Sequence, residues 1–578
     1  MSRRMASRMA RVVSACVLAS GLAGCASLTD SVTATVPTSG PIEEGQQVGV
    51  NPADNFIRVI ARGPSKGMSP SQLVAGFLEA SASFDDNHAV AREYLTAEAS
   101  RTWKTDAGVR VYEGVPDMAD LAQNVVLSAV QTEEILPNGH VDVTGPGREL
   151  RERFHVSREG SEWRIDELPE GLLLSQQDVE RAFRSYAVYF FNPQFDMLVP
   201  DARLLPVTGS GLATTLVRRL MDGPNDWLGP AVRTGFPAKV GLNIESVPID
   251  AGVAHVDLTA NARQLDDRTR QAMAQQLVWT LRQVPDVQRV DITAAGQPFI
   301  VPGHSMPLGR DTWPGVDPNA MPIGALGYAA RPEGAVVLTV DGATPVRGGL
   351  GTGEVPLVDI AVAADESRIA GISEDGSVWQ ALLADDSQPI RIRDSGAPLS
   401  IAFDRSSSAW VVDEEEGVIA ISGGGVSTPV RMVGLGGRAT VLRAVPSRDG
   451  TRVALIVRRG ALTVVLLARV VRGSGASGSI VVSAPRRVES QLVEVADLAW
   501  AGADLLSVLG SQTPGTVQSY ELNLATGALS ATSSPAGPLT VAAAPGMPTL
   551  IGSSDGLVYE NNSGVWLERV RGGAPVYP

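Results

Sequence analysis

Apolar residues recur at helical spacing soon after residue 65. Residues 69–72 (Ser-Pro-Ser-Gln) place serine at an N-cap, proline at the first helical position and glutamine at the third, which is a capping-box arrangement. The apolar residues that follow share one helical face: Leu73, Val74, Phe77 and Leu78. The pattern predicts a helix from residue 70 to about 83, and a second helical stretch from Ala89 to about Leu95.

The pattern then changes to alternation of apolar and polar residues, which is typical of strands with one buried face. Such segments lie near Val125–Val130, His140–Val143 and Trp163–Ile165. Helices followed by a small antiparallel sheet predict an α+β module over residues 55–170. The same order occurs in cystatin-like cone folds, so a cystatin-like fold is expected here.

A second α+β module is expected over residues 171–310. One helix has its apolar face at Leu212, Leu216, Val217 and Leu220 and is stopped by Gly223-Pro224. A longer helix, capped by Asp266 or Asp267, carries the apolar stripe Met273, Leu277, Leu281 and Val284. Alternating residues predict strands at 242–244, 254–258 and 290–292.

Three segments of this second module resemble the domain named after the germination and sporulation protein GerM. They are Leu216-Val217-Arg218-Arg219-Leu220-Met221-Asp222-Gly223-Pro224, Phe236-Pro237 and Val253-Ala254-His255-Val256-Asp257-Leu258-Thr259. The resemblance implies a domain for extracytoplasmic protein interaction or envelope binding, without an established catalytic constellation.

A periodic signal runs through residues 320–578. Glycine followed two residues later by an apolar residue recurs at Gly334, Gly376, Gly417, Gly460, Gly515 and Gly556, with gaps of 42, 41, 43, 55 and 41 residues. Short apolar segments precede these turns, at 360–362, 399–403, 495–500 and 539–543. Repeats of about this length with several short strands are typical of propeller blades.

Six turns favour a six-bladed β-propeller, with five blades as the alternative because the first repeat lacks a clear leading strand. A β-sandwich with chance glycine spacing also remains open, since Asp-Gly turns are common in antiparallel proteins. The longest gap contains residues 472–478 (Arg-Gly-Ser-Gly-Ala-Ser-Gly), which are expected to form a flexible loop.

Residues 1–24 have the pattern of an export signal. Four arginines and no acid precede an apolar run of 11 residues, Val12–Leu22, which is too short to span a bilayer. Leu22-Ala23-Gly24-Cys25 resembles the bacterial lipobox, which implies cleavage between Gly24 and Cys25 and a lipid on Cys25. An ordinary signal peptide with an incidental cysteine is the alternative. Residues 1–24 are thus the expected signal peptide and 25–54 a flexible, Ser/Thr/Pro/Gly-rich tether.

Charge and composition exclude some classes of partner and site. The net charge of −15 argues against a nucleic-acid partner. Only two cysteines occur, Cys16 and Cys25, so the body has no thiolate metal site. The five histidines are at least 15 residues apart and precede the propeller: His88, His140, His155, His255 and His304.

No catalytic, cofactor-binding or metal-binding residue is predicted, and a non-enzyme is expected. The run Asp413–Glu416 is either a cation site or, as we favour, a solvated loop. Paired acids for glycoside hydrolysis are not singled out by the sequence, since their spacing is set by the fold.

The order of lipobox, tether, α+β module, GerM-like module and propeller resembles the actinobacterial LpqB lipoprotein family. The resemblance implies a lipid-anchored protein on the extracytoplasmic face of the cell membrane. Its implied partner is the extracytoplasmic region of an MtrB-like sensor histidine kinase, through which cell-wall homeostasis and division would be modulated. An envelope glycan-binding or glycan-processing lipoprotein is the alternative, and a purely structural role is the third possibility.

Overall fold

The computed structural model describes residues 61–207, 211–473, 478–489 and 491–578, with the side chains of 143–146 left out. The expected signal peptide, the lipobox residues Leu22, Ala23, Gly24 and Cys25, and the tether lie outside the described residues. Residues 474–477, the centre of the expected flexible loop, lie outside them as well.

The N-terminal module packs helices against one five-stranded sheet. Its helices are α1 (Pro70–Ser81), α2 (Ala89–Arg92), α3 (Ala97–Thr102) and α4 (Gln176–Ala182). Its strands are β1 (Val109–Leu121), β2 (Asn124–Ile135), β3 (Val141–Glu159), β4 (Glu162–Glu167) and β5 (Leu172–Ser175). The sheet order is β4-β3-β2-β1-β5, antiparallel except where β5 runs parallel to β1.

The predicted capping box is present at α1, with reciprocal hydrogen bonds between Ser69 and Gln72. The apolar face of this helix is buried against the sheet, where Phe77 meets Trp103 and Phe154. The module continues past residue 170, where the sequence placed its end. The reason is that β5 completes the sheet, and its leucines enter the same core.

The GerM-like module is built from short strands around two helices. Its strands are β6 (Phe183–Phe191), β7 (Leu198–Pro206), β8 (Ile249–Asp250), β9 (Val253–Leu258), β10 (Arg289–Ala294), β11 (Gln297–Pro298) and β12 (Leu308–Gly309). Its helices are α5 (Leu212–Met221) and α6 (Asp267–Leu281). Asp266 caps α6 by accepting the N–H of Thr269, as the sequence predicts.

The prediction of a strand at residues 242–244 is wrong. Leu242 makes only an isolated bridge to Leu258, and Ile244 is 56% exposed. Asn243 instead binds the side chain of Asp257, and Pro248 supplies no N–H for a longer ladder. The β6–β7 hairpin, whose apolar residues fill the module core, was not predicted.

Residues 320–578 form four-stranded antiparallel units arranged as a propeller. The strands of the first three units, in chain order, are β13 (Tyr328–Ala330), β14 (Val336–Thr339), β15 (Gly342–Pro345), β16 (Leu357–Val362), β17 (Arg368–Ser373), β18 (Val378–Leu382), β19 (Ile390–Arg393), β20 (Pro398–Phe403), β21 (Ala409–Asp413), β22 (Gly417–Ile421) and β23 (Ser427–Met432). Those that follow are β24 (Ala439–Pro446), β25 (Arg452–Arg459), β26 (Leu462–Arg472), β27 (Ile480–Arg487), β28 (Glu494–Gly502), β29 (Leu505–Ser511), β30 (Gln518–Asn523), β31 (Leu529–Thr532), β32 (Pro538–Ala542), β33 (Leu550–Ser553), β34 (Leu557–Asn562), β35 (Val565–Arg571) and β36 (Gly573–Val576).

The first unit has the order β15-β14-β13-β36, so its innermost strand comes from the far end of the repeat region. This explains why the first repeat lacks a leading strand in the sequence. The units of β20–β23 and β24–β27 join through the parallel β23–β27 pair into one eight-stranded sheet. Counted by strand groups, the described residues thus contain six units, and the innermost strands β36, β16, β20, β24, β28 and β32 contact one another in a closed ring.

The repeated glycines occupy one equivalent place in the six units, the turn between the second and third strands from the centre. Each has a positive φ, which a residue with a Cβ adopts only at a cost. In the two most similar turns an aspartate caps the following backbone: Asp375 accepts the N–H of Ser377, and Asp555 that of Leu557.

Candidate binding site in the propeller channel

The ring of inner strands encloses a cavity of about 120 Å³. Its walls come from the carboxyl-terminal halves of the inner strands, including Ile360, Ile401, Val445, Leu498 and Val541. Apolar walls around a central opening are typical of ligand sites in proteins.

A charged cluster lies beside the cavity, on three different inner strands, and its arginine, Arg443, lines the cavity. Arg443 of β24 stands between Asp497 of β28 and Asp359 of β16, with its Nε 2.7 Å from Asp497 Oδ1 and its Nη1 3.9 Å from Asp359 Oδ2. Asp497 also accepts the main-chain N–H groups of Leu498 and Val541, at 2.8 and 2.7 Å. We call these three residues the channel triad.

Burial sets the electrostatics of the channel triad. It raises the pKa of Asp359 to about 6, against the pull of Arg443, and Asp497 adds to the rise. Burial likewise raises the pKa of Asp497 despite the same guanidinium. It opposes the charge of Arg443 too, but Asp497 and Asp359 hold the pKa of that group above its ordinary value. Two carboxylates therefore share one cation. The charge of Asp359 is the less well balanced by the guanidinium, because it lies farther from it than Asp497 does.

A β-bulge recurs at the same place in five of the inner strands, just before the triad level. The pairing skips one residue in β16, β20, β24, β28 and β32, namely Val358, Leu399, Leu442, Ala496 and Leu539. We call these five residues the bulge collar. Every one is apolar, and three are large and well exposed, with Val358 at 51%, Leu399 at 39% and Leu539 at 55%. Bulges of this kind re-aim side chains at barrel rims and binding sites.

The opposite end of the channel faces the GerM-like module. A cleft of about 450 Å³ there is lined by the loop around Asp196 and by propeller residues that follow the inner strands. Arg405 and Asp196 form an ion pair across it at 3.1 Å, and Asn192 donates to the carbonyl of Asp449. Since the bulge collar precedes the cavity-lining residues in each strand, it lies toward the end of the channel away from this module.

A second charged cluster lies where the propeller meets the other two modules. Arg452 contacts Asp449 at 2.8 Å and Asp504 at 2.7 Å, and we call these residues the junction triad. Beside it, Trp227 of the GerM-like module donates to the carbonyl of Ala484 and lies under Arg486.

His140 of the N-terminal module completes this junction, with its Nε2 2.7 Å from Nη1 of Arg486. Burial lowers the pKa of His140 to about 3, helped by Arg486 and Arg203. The neutral imidazole therefore accepts from the guanidinium, which makes this histidine part of a structural contact.

The other candidates from the sequence are dispersed. In the run 413–416, Asp413 and Glu416 pair with Arg393, at 3.0 and 3.1 Å. Asp413 also accepts the N–H groups of Glu415 and Glu416, so this end of the run is an internally paired turn and not an open cation site. His155 and His255 each pair with a nearby aspartate, and His304 accepts from Trp313.

Across the described ranges, no group of three or more His, Cys, Asp or Glu side chains is placed to hold a metal ion. In the same ranges no helix is both long and apolar enough to cross a bilayer. The lipidation candidate Cys25 and its neighbours Leu22, Ala23 and Gly24 lie outside them.

Sequence reasoning missed both triads. The signal was a charged residue inside an otherwise apolar inner strand, as in Leu357-Val358-Asp359-Ile360 and Val495-Ala496-Asp497-Leu498. Aligned by their bulges, the inner strands place Asp359, Ser400, Arg443, Asp497 and Thr540 at one level. That alignment needs the strand registers, which no spacing in the sequence supplies.

Comparison with known families matches three consecutive parts of the chain. Residues 63–180 match the model "Lipoprotein LpqB, N-terminal domain", residues 187–299 "Sporulation and spore germination" and residues 334–578 "Lipoprotein LpqB beta-propeller domain". Among solved structures, TolB from Acinetobacter baumannii is 14% identical with a TM-score of 0.32 and covers 44% of this chain and 66% of its own. The tandem GerMN domains of GerM from Bacillus subtilis are 20% identical with a TM-score of 0.19, covering 23% and 46%.

Relatives similar over most of the chain are each named "Lipoprotein LpqB". "Lipoprotein LpqB" of Thermobifida fusca is 33% identical over 641 aligned positions, covering 99% of both chains. Its namesake in Streptomyces coelicolor is 29% identical, covering 100% of this chain and 98% of the relative. That of Mycobacterium bovis is 26% identical and covers 86% of each. The chain belongs to the lipoprotein LpqB family.

Proposed function

We propose that this protein is a lipid-anchored, extracytoplasmic binding protein without enzymatic activity, which modulates an MtrB-like sensor histidine kinase and thereby cell-wall homeostasis and division. The observation that carries the binding role is the propeller channel, with one mouth against the GerM-like module and the other ringed by the bulge collar. Membership of a family named as lipoproteins supports the anchor.

The kinase partner is tested by reconstitution. The lipidated protein and the full-length kinase are placed in the same bilayer nanodiscs, and autophosphorylation is followed with and without the lipoprotein. We expect the rate to change and the two proteins to co-purify after solubilisation. An unchanged rate together with no co-purification would remove the kinase from the proposal.

The anchor is tested at Cys25, the residue that the lipobox pattern selects. Cys25→Ala should abolish labelling by a fatty-acid analogue and release the protein from the membrane fraction, since stable anchoring needs the acyl chains. Cys16→Ala is the matched control and should behave as the wild type. Normal labelling of the Cys25 variant would contradict the lipoprotein assignment.

A second function is favoured by one observation, the two carboxylates of the channel triad. An envelope glycan that reached the triad would meet Asp359, whose side chain keeps 17% of its surface exposed, and an acid with a pKa of about 6 suits general acid chemistry. Incubation with purified peptidoglycan and arabinogalactan should then release fragments, and Asp359→Asn should stop the release. Retention without release supports glycan binding alone, and neither retention nor release rules out both glycan roles.

A further inference from the structure

The bulge collar and the channel triad meet at one level of the molecule. In each of the five bulged strands, the residue after the bulge belongs to the polar level that contains Asp359, Arg443 and Asp497. Exposed apolar residues of the collar, Val358, Leu399 and Leu539, therefore lie one residue before this polar level in their strands. Such a rim with a polar floor is suited to a chain segment that has apolar residues on both sides of a charged one.

The charge of the floor is negative. Two carboxylates face a single guanidinium, and Asp359 is the one left 3.9 Å from the nearest guanidinium nitrogen. Its side chain keeps 17% of its surface exposed, whereas Asp497 keeps 3%. Its carboxylate accepts hydrogen bonds from the N–H of Ile360 at 2.9 Å and that of Ile401 at 3.4 Å. Asp359 is thus the acid of the triad that an incoming hydrogen-bond donor can reach, and its charge is the one that such a donor would stabilise most.

The chain's own tether does not supply that donor. Residues 25–54 contain no lysine or arginine, and their charged residues are acidic. The tether therefore offers no cation for this site, and we look to another molecule for it. The exposed Val358, Leu399 and Leu539 indicate that this molecule presents apolar groups beside the cation, which a protein segment does and a simple cation does not.

We propose that the bulge collar and Asp359 form a docking site for an extended segment of a partner protein, in which a lysine or arginine side chain is flanked by apolar residues. The cation pairs with Asp359 while its neighbours cover Val358, Leu399 and Leu539. This inference rests on the proposed binding function and names the chemistry of the partner at that site. A buried, charge-assisted contact supplies selectivity for the cation, and the rim supplies area.

The probe is a random library of acetylated, amidated heptapeptides, captured on the full-length lipidated protein in nanodiscs and identified by mass spectrometry. Bound peptides should be enriched in lysine or arginine with Leu, Ile or Phe beside it. The best lysine peptide should bind about tenfold or more tightly than the same peptide with norleucine in place of lysine. No enrichment of basic residues, or equal binding of the lysine and norleucine peptides, would overturn the inference.

Variants separate the two parts of the site. Asp359→Asn should remove the preference for lysine over norleucine, and the double variant L399S/L539S should weaken both peptides alike. Asp341→Asn, an exposed acid in a peripheral turn, is the matched control and should change neither affinity. Because the collar variant changes exposed residues, it keeps the test valid if Asp359→Asn folds poorly. An unchanged preference in a folded Asp359→Asn protein would refute the role of that acid.

The outcome of the kinase experiment does not depend on the outcome of the peptide experiment. Kinase co-purification without any preference for basic peptides would leave the proposed function standing and defeat this inference. Conversely, a basic, apolar-flanked consensus that is lost in Asp359→Asn, with no effect on the kinase, would support the docking site and direct the search to a different partner.

Discussion

The two triads have the same composition, one arginine between two aspartates, yet differ in how closely the arginine contacts its acids: at 2.8 and 2.7 Å in the junction triad, and at 2.7 and 3.9 Å in the channel triad. In the junction triad Asp449 accepts from Arg452 and also from the N–H of Thr451 at 2.8 Å and the hydroxyl of Ser447 at 2.8 Å. Burial alone would raise the pKa of Asp449, but Arg452 and Thr451 hold it below its ordinary range. In the channel triad Asp359 has no hydroxyl donor in the described contacts, and its pKa is about 6.

The difference separates a structural cluster from a site available for binding. A buried cation in close contact with both of its acids fixes one arrangement of the parts that it joins. Arg452 makes two such contacts where the three modules meet, although burial still raises the pKa of Asp504. A network that leaves one acid poorly compensated gains when a ligand supplies the missing donor. The channel triad is of this second kind, and it lies beside the bulge collar.

The largest expected effect comes from breaking the junction triad. Arg452→Met leaves Asp449 and Asp504 without their shared cation, and removing one partner of a buried ion network costs about 3–5 kcal/mol. Urea unfolding followed by tryptophan fluorescence measures the loss. Arg458→Met, an exposed neighbour on the same strand, is the control and should change the free energy of unfolding by less than about 0.5 kcal/mol. A loss equal to the control would contradict the structural role.

Arg443→Met, the matching change in the channel triad, should cost less, about 2–3 kcal/mol. Asp359 already has a pKa of about 6, so it becomes neutral more readily once the guanidinium is gone. Unfolding in urea at pH 7 compares the two variants directly. If Arg443→Met destabilises the protein more than Arg452→Met, the ranking of the triads is wrong.

Acidification should weaken the junction through His140. Its pKa is about 3 in the folded protein and near 6.5 when unfolded, so the unfolded chain binds the proton more tightly. The contribution to stability is complete above pH 6.5 and is lost as the pH falls toward 3, by about 2 kcal/mol at pH 5. The melting temperature of His140→Gln should fall less between pH 7 and pH 5 than that of the wild type. His255→Gln, at an exposed site, is the control.

Asp359→Asn should have the smallest effect on stability, within about 1 kcal/mol at pH 7. The raised pKa of Asp359 means that its contribution is present below pH 4 and is lost as the pH rises through about 6. The variant lacks this contribution, so its stability should decline less over that interval. Chemical unfolding at pH 4, 5, 6 and 7 checks it, with Asp341→Asn as the control. A decline equal to the wild type would show that Asp359 is fully compensated.

Local signals predicted local structure well. The capping box at α1, the Asp266 cap of α6 and the turn glycines of the propeller all depend on residues a few positions apart. The failures were non-local. β5 joins the first sheet from beyond the predicted boundary, and β36 completes the first propeller unit from the far end of the repeats. The channel triad gathers Asp359, Arg443 and Asp497 from three different inner strands, so its assembly follows from register and closure.

The pairing of β36 with β13 joins the two ends of the repeat region. Residues 328–330 are synthesised long before residues 573–576, and until these meet, the inner edge of the first unit stays unpaired. Ring closure therefore has the entropy cost of a long loop to overcome, and we expect it to come late in folding. Chains that stop short of β36 keep an open edge that proteases and aggregation can exploit. The propeller can therefore close only after β36, the last strand of the repeat region, has been synthesised.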